Sequence, residues 1–136
     1  MRNIAQIIIH CSATKEGKDF DVKNIRDWHV NGNGWSDIGY HYVIKLDGTI
    51  QKGRPENKIG AHAKGNNRYS IGICYVGGLD INGKSKDTRT EKQKESLIKL
   101  IKEIKENHKE ATVYGHNDFS SKDCPCFNAK KEYEKL

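Results

Sequence analysis

The chain has 136 residues, with 24 basic and 18 acidic side chains and a net charge of +6 at neutral pH. That length suits one domain, residues 1–136, with a core that needs no disulfide staples, and no apolar run approaches the ~20 residues of a membrane-spanning helix. The basic excess is spread, 11 against 8 up to residue 83 and 13 against 10 beyond it. A nucleic-acid binder more often gathers its charge into a stripe; a diffuse excess fits attraction to any anionic polymer, a bacterial cell wall included, and equally a plain solvated basic surface.

Residues 4–10 form an apolar, β-branched run, which predicts a central strand buried on both faces. The run is too short for a signal-peptide core, and no small-residue cleavage site precedes His10. A cytoplasmic protein, without membrane insertion, is therefore expected. Asp21 can cap a helix carrying Val22, Ile25, Trp28 and His29 at helical spacing, ended by Gly32 and Gly34. Residues 39–46 read as a second strand. Asp47-Gly48 is a hairpin turn, and Thr49–Gln51 is the returning strand. Residues 53–68 lack periodicity and predict a long loop, a common home for functional groups. Residues 70–76 predict a buried strand ended by Gly77-Gly78, and 79–89 a polar loop.

Thr90-Glu91-Lys92-Gln93 is a capping box. The helix it opens carries Leu97, Leu100, Ile101 and Ile104 on one face and ends near Asn107 or His108. Residues 111–114 predict a short strand and 127–135 a charged terminal helix. Strands alternating with helices predict an α/β fold, a mixed central sheet flanked by helices. His10 and His116 then both fall at strand ends, where sites gather in such sheets.

The segment from Gly115 to Cys126 concentrates chemistry: His116, Lys122, Cys124 and Cys126. With no secretory signal, its cysteines suggest metal binding or free thiols rather than disulfides. A catalytic zinc site has three protein ligands and one open position for water, and zinc lowers the pKa of that water to about 7. His10, His116 and Cys124 meet that count, but six His and four Cys allow many other triads. Cys126 competes with Cys124, and Tyr42 shares strand parity with Tyr40. Cys11 and Cys74 read as core thiols, His29 as packed or solvated, and His108 as a cation at a helix end.

Several segments together carry a resemblance. They are Ile-Ile-His-Cys-Ser-Ala-Thr-Lys (8–15), Gly-Tyr-His-Tyr-Val-Ile (39–44), Asp-Gly-Thr-Ile (47–50) and Gly-Ala-His-Ala-Lys-Gly (60–65). Ser-Ile-Gly-Ile-Cys-Tyr-Val-Gly-Gly (70–78) and the Gly-His…Lys-x-Cys-Pro of 115–125 complete the set. In this order they resemble the zinc-dependent N-acetylmuramoyl-L-alanine amidases, a family that takes in phage lysozymes and the peptidoglycan recognition proteins. The resemblance implies cleavage of the amide between N-acetylmuramic acid and L-alanine in peptidoglycan, the expected partner. It implies zinc as cofactor, held by His10, His116 and Cys124, with Tyr40 and Lys122 as catalytic partners and His41 and His62 in substrate contact. One departure is Asn117, where a phage lysozyme of the family carries a second histidine. A phage or prophage endolysin, acting as a monomer and released from the cytoplasm to the wall, is the role this suggests. A non-catalytic peptidoglycan-binding module is the alternative.

Overall fold

The isoleucine run near the N-terminus builds an interior strand of the sheet. In the computed structural model, which describes residues 2–136, β1 (Gln6–Cys11) carries Ile7, Ile8 and Ile9 with no exposed surface. Adjacent residues of a strand face opposite ways, so full burial of all three requires a layer on each side of the sheet. β1 lies between β5 (Ser70–Tyr75) and β7 (Thr112–Gly115), parallel to both. β3 (Tyr42–Ile44) adds parallel to β5, and β4 (Ile50–Lys52) closes that edge antiparallel. The sheet order is β4-β3-β5-β1-β7.

α2 (Glu91–Asn107) covers one face. Leu97, Leu100, Ile101 and Ile104 pack with Ile7, Ile9, Ile71 and Ile73, joined there by Ala129 and Tyr133 from the region of α3 (Ala129–Glu132). The capping box forms as read: the Thr90 hydroxyl accepts from the Gln93 amide, and the Thr90 amide donates to the Gln93 side chain. Gln93 is itself buried, and its side-chain amide donates to the carbonyls of Ile44 and Val76. α1 (Val22–Asp27) covers the other face through Ile25, which packs with Ile38, Val43, Cys74 and Val76. Strand alternation turns Ile8, His10, Gly72 and Cys74 toward this second face, and the site lies there.

Several elements differ from expectation. The first strand starts later than residue 4 and runs one residue past His10, to Cys11. The strand expected over 39–46 is regular only at Tyr42–Ile44, because Gly39–His41 bend to exchange hydrogen bonds with Gly72, Gly53, Arg54 and Ala61. The first helix ends its α geometry at Asp27 and continues as a wider π turn over Trp28–Gly32. The terminal helix shortens to Ala129–Glu132. A two-stranded parallel pair, β2 (Thr14–Lys15) and β6 (Gly78–Leu79), has no signature in the sequence, since two residues show no period. Among the described residues no helix is long and apolar enough to cross a membrane.

Candidate metal centre and its groove

β1 and β7 run side by side, and this adjacency assembles the centre. His10 projects from β1, and His116 is the first residue past β7, held by a 3-10 turn whose Asp118 carboxylate accepts from the Gly115 amide at 2.8 Å. The loop after that turn brings Cys124 back, and the Cys11 amide donates to its sulfur at 3.2 Å. One ligand atom from each of His10, His116 and Cys124 lies within 4.8 Å of the other two. Cys126 is not part of this group. Its Sγ lies 4.0 Å from that of Cys11 and donates to the Gly78 carbonyl, so it packs on the α2 side of the sheet. All four cysteines are free thiols.

The loop bearing Cys124 is pinned from below. The buried Tyr75 hydroxyl donates to the Pro125 carbonyl at 2.6 Å, and the Arg89 guanidinium lies 3.4 Å from the centre of the Phe127 ring. Arg89 itself is buried between the Asp87 and Glu132 carboxylates and the Tyr133 hydroxyl. Nothing in the sequence marks Arg89, because a lone arginine in a polar loop carries no local signal.

His10 presents Nδ1 to Cys124 Sγ at 3.9 Å and turns Nε2 onto His62 Nδ1 at 2.9 Å. Burial, with His62, His116 and Lys122 nearby, holds His10 well below the usual imidazole range. Burial and the charge of Lys122 lower His116 in the same direction. Neutral imidazoles with a free lone pair are what a metal requires.

Tyr40 is half-buried, with its ring 5.0 Å from that of His10. Burial of its hydroxyl among the thiols of Cys74, Cys124 and Cys11 pushes the phenol well above its ordinary range, so it remains a hydrogen-bond donor. Tyr42 is set apart despite its parity. It packs with the α2-face core, and its hydroxyl donates to Glu56. The bend at Gly39–His41 breaks the alternation that made the two tyrosines look equivalent. Of the two readings of His29, packed or solvated, the structure shows packing: its Nδ1 accepts from the Gly39 amide at 2.9 Å, and its ring contacts those of Trp35 and Tyr40. It thereby braces the segment that carries Tyr40.

His41 departs from its expected role. It is 1% exposed, its Nδ1 accepts from the Gly72 amide, and its Nε2 meets the Lys58 carbonyl and the Arg2 guanidinium. It has no free nitrogen to offer a ligand and instead ties the 53–68 loop to the sheet. His62 does line a groove of ≈ 340 Å³, together with Trp35, Lys64, Asn67, His116 and Lys122. A second, more polar cavity of ≈ 690 Å³ runs past Asn117, Asp118, Asp123 and Asn128. Lys122 lines both, so this cation stands on the ridge between them.

Fold and site together define a mixed α/β domain in which three candidate metal donors converge, one of them, His116, lining a groove. The sequence profile of the N-acetylmuramoyl-L-alanine amidase family matches residues 1–127. The endolysin of Klebsiella phage KP32 is 42% identical over 131 residues, covering 96% of this chain and 86% of that protein. The endolysin of Escherichia phage T7 is 43% identical over 129 residues, covering 95% and 85%. Among solved structures, the N-acetylmuramoyl-L-alanine amidase LysC from Clostridium intestinale superimposes with a TM-score of 0.81 at 32% identity, covering 96% of this chain and 82% of that one. The chain belongs to the N-acetylmuramoyl-L-alanine amidase family.

Proposed function

We propose that the chain is a zinc-dependent peptidoglycan amidase of the endolysin kind, cleaving the amide between the lactyl group of N-acetylmuramic acid and L-alanine. The observation that carries this reading is the convergence of His10, His116 and Cys124, with His116 lining a groove, in a chain of this family. Two neutral imidazoles and one sulfur suit zinc by donor type. A zinc ion bound there supplies Lewis acidity toward water and a carbonyl oxygen.

The chain's own groups account for the rest. The Cys11 amide holds the Cys124 sulfur in place. Lys122 sets a positive charge on the ridge, where it can stabilise negative charge growing on the scissile carbonyl oxygen. Tyr40, kept protonated, orients a water or that oxygen by donating a hydrogen bond. Trp35 and His62 wall the groove for the stem peptide. All of these groups lie on one chain, which supports a single amidase domain over residues 1–136 working as a monomer. The phage relatives, named as endolysins, support storage in the cytoplasm and release to the wall.

A binding module without catalysis is the competing reading, and Cys124 beside the two histidines weighs against it. Chelator treatment should abolish lysis of purified walls, and added zinc should restore it. Cys124→Ser should still bind walls without cleaving them. A zinc-loaded wild-type protein that binds walls yet never cleaves them would favour the binding module.

A further inference from the structure

We propose that His62, held in turn by Ser70, is the positioning residue of His10: it fixes the tautomer that leaves Nδ1 free to face the metal. This assignment rests on the metal reading above. His10 Nε2 and His62 Nδ1 are 2.9 Å apart, and the two rings meet edge to face at 88°. On its far side His62 Nε2 lies 3.2 Å from Ser70 Oγ. His10, His62 and Ser70 are 1%, 9% and 0% exposed, so water does not compete for these bonds.

The direction of the chain follows from one requirement. A neutral imidazole carries one proton. If Nδ1 of His10 is to be a ligand, its proton sits on Nε2 and needs an acceptor. His62 Nδ1 is the partner that Nε2 has. It can accept only if the His62 proton is on Nε2, and that proton then points at Ser70 Oγ. The reverse arrangement would place a proton on His10 Nδ1, between the ring and Cys124, and block coordination. Ligating histidines ordinarily donate their second N–H to a carboxylate or a backbone carbonyl; here a second imidazole takes that place.

The surroundings are shaped for this ring. A Cβ on Gly72 would lie 2.6 Å from His62 Cγ, and one on Gly60 would lie 2.8 Å from His62 Cδ2. The two glycines therefore leave the slot in which the imidazole sits. Asn67 Oδ1 accepts from the amides of both His62 and Ala63 at 2.9 Å, which fixes the backbone behind the ring. Both ring nitrogens of His62 are thus committed.

The test measures zinc affinity by competition with a chromophoric chelator, for the wild type, His62→Ala, His62→Asn and Ser70→Ala. Losing an outer partner of a metal ligand typically weakens binding about 10–100-fold, and that is the expected loss for His62→Ala. Asparagine can place its side-chain oxygen where Nδ1 stands, so His62→Asn should recover most of the affinity. Ser70→Ala should lose a few-fold at most. Nitrogen-15 NMR of the zinc-loaded wild type should find His62 protonated on Nε2. Wild-type affinity in a folded His62→Ala overturns the assignment, as does equal loss in folded His62→Ala and His62→Asn, which would mark a packing role. His62 protonated on Nδ1 overturns it even if the variants fail to fold. A wild-type protein that binds no zinc would instead remove the metal centre itself.

Discussion

Replacing Arg89 with alanine should lower the melting temperature by about 10 °C, and the magnitude can be built from its contacts. The guanidinium stacks 3.4 Å from the Phe127 ring centre, with the arginine side chain 3% exposed. A desolvated cation–π contact of this kind is worth about 2 kcal/mol. Asp87 and Glu132 are 34% and 44% exposed, so water partly replaces the lost partner, and each pair counts for only about 0.5 kcal/mol. The buried Tyr133 hydroxyl loses a 2.7 Å partner, which adds up to about 1 kcal/mol. The total is about 3–4 kcal/mol, and a domain of this size shifts by about 3 °C per kcal/mol. Circular dichroism melts at neutral pH measure it directly. Arg89 holds Asp87, against the raising effect of burial, below its ordinary 3.8, and by hydrogen bonding holds Glu132 below its ordinary 4.5. Carboxyls lowered in this way stabilise the fold above those values and lose the effect as the pH falls below them. The penalty of Arg89→Ala should therefore shrink at pH 3. A melting shift under about 2 °C at neutral pH would refute the view that Arg89 clamps the segment behind Cys124.

Two further predictions concern the site and its supports. Lys122→Ala should lower turnover at least ~10²-fold, as expected for loss of a group that stabilises the developing oxyanion, with zinc affinity kept; near-normal turnover would remove Lys122 from the mechanism. Burial holds His41 down at about 4 against an ordinary 6.5. The unfolded chain therefore binds more protons between those values, so stability present above pH 6.5 is lost as the pH falls toward 4. His41 alone contributes on the order of 3 kcal/mol to that loss. Urea denaturation at pH 7 and pH 4.5 reads the difference, and equal stabilities would contradict the burial of a neutral His41.

Legibility in the sequence followed the range of the signal. β1 and α2 were readable because each repeats its own local period: three isoleucines in a row, and Leu97-Leu100-Ile101-Ile104 behind a capping box. β2 and β6 were not, because a two-residue ladder exists only through its partner. Spacing alone left many metal triads open. Resemblance selected His10, His116 and Cys124, and the parallel pairing of β1 with β7 is the physical reason that residues so far apart in sequence meet. Strand parity failed for Tyr40 and Tyr42 because the Gly39–His41 bend lies outside the regular ladder. His41 fell in a matching motif, yet its two ring nitrogens are taken up by Gly72, Lys58 and Arg2. Arg2 and Gly72 are distant in sequence, and no local pattern could place them there. The His10–His62–Ser70 chain was hidden for the same reason: its members come from β1, the long loop and the start of β5.

The central claim is the bond that is cut, and mass analysis of muropeptides digested with the zinc-loaded protein addresses it most directly. Amidase cleavage should yield stem peptides with newly freed L-alanine amino groups, glycan strands with no new reducing ends, and no such products after chelation. New reducing sugar with intact lactyl–alanine amides would mean a glycosidase and would contradict it.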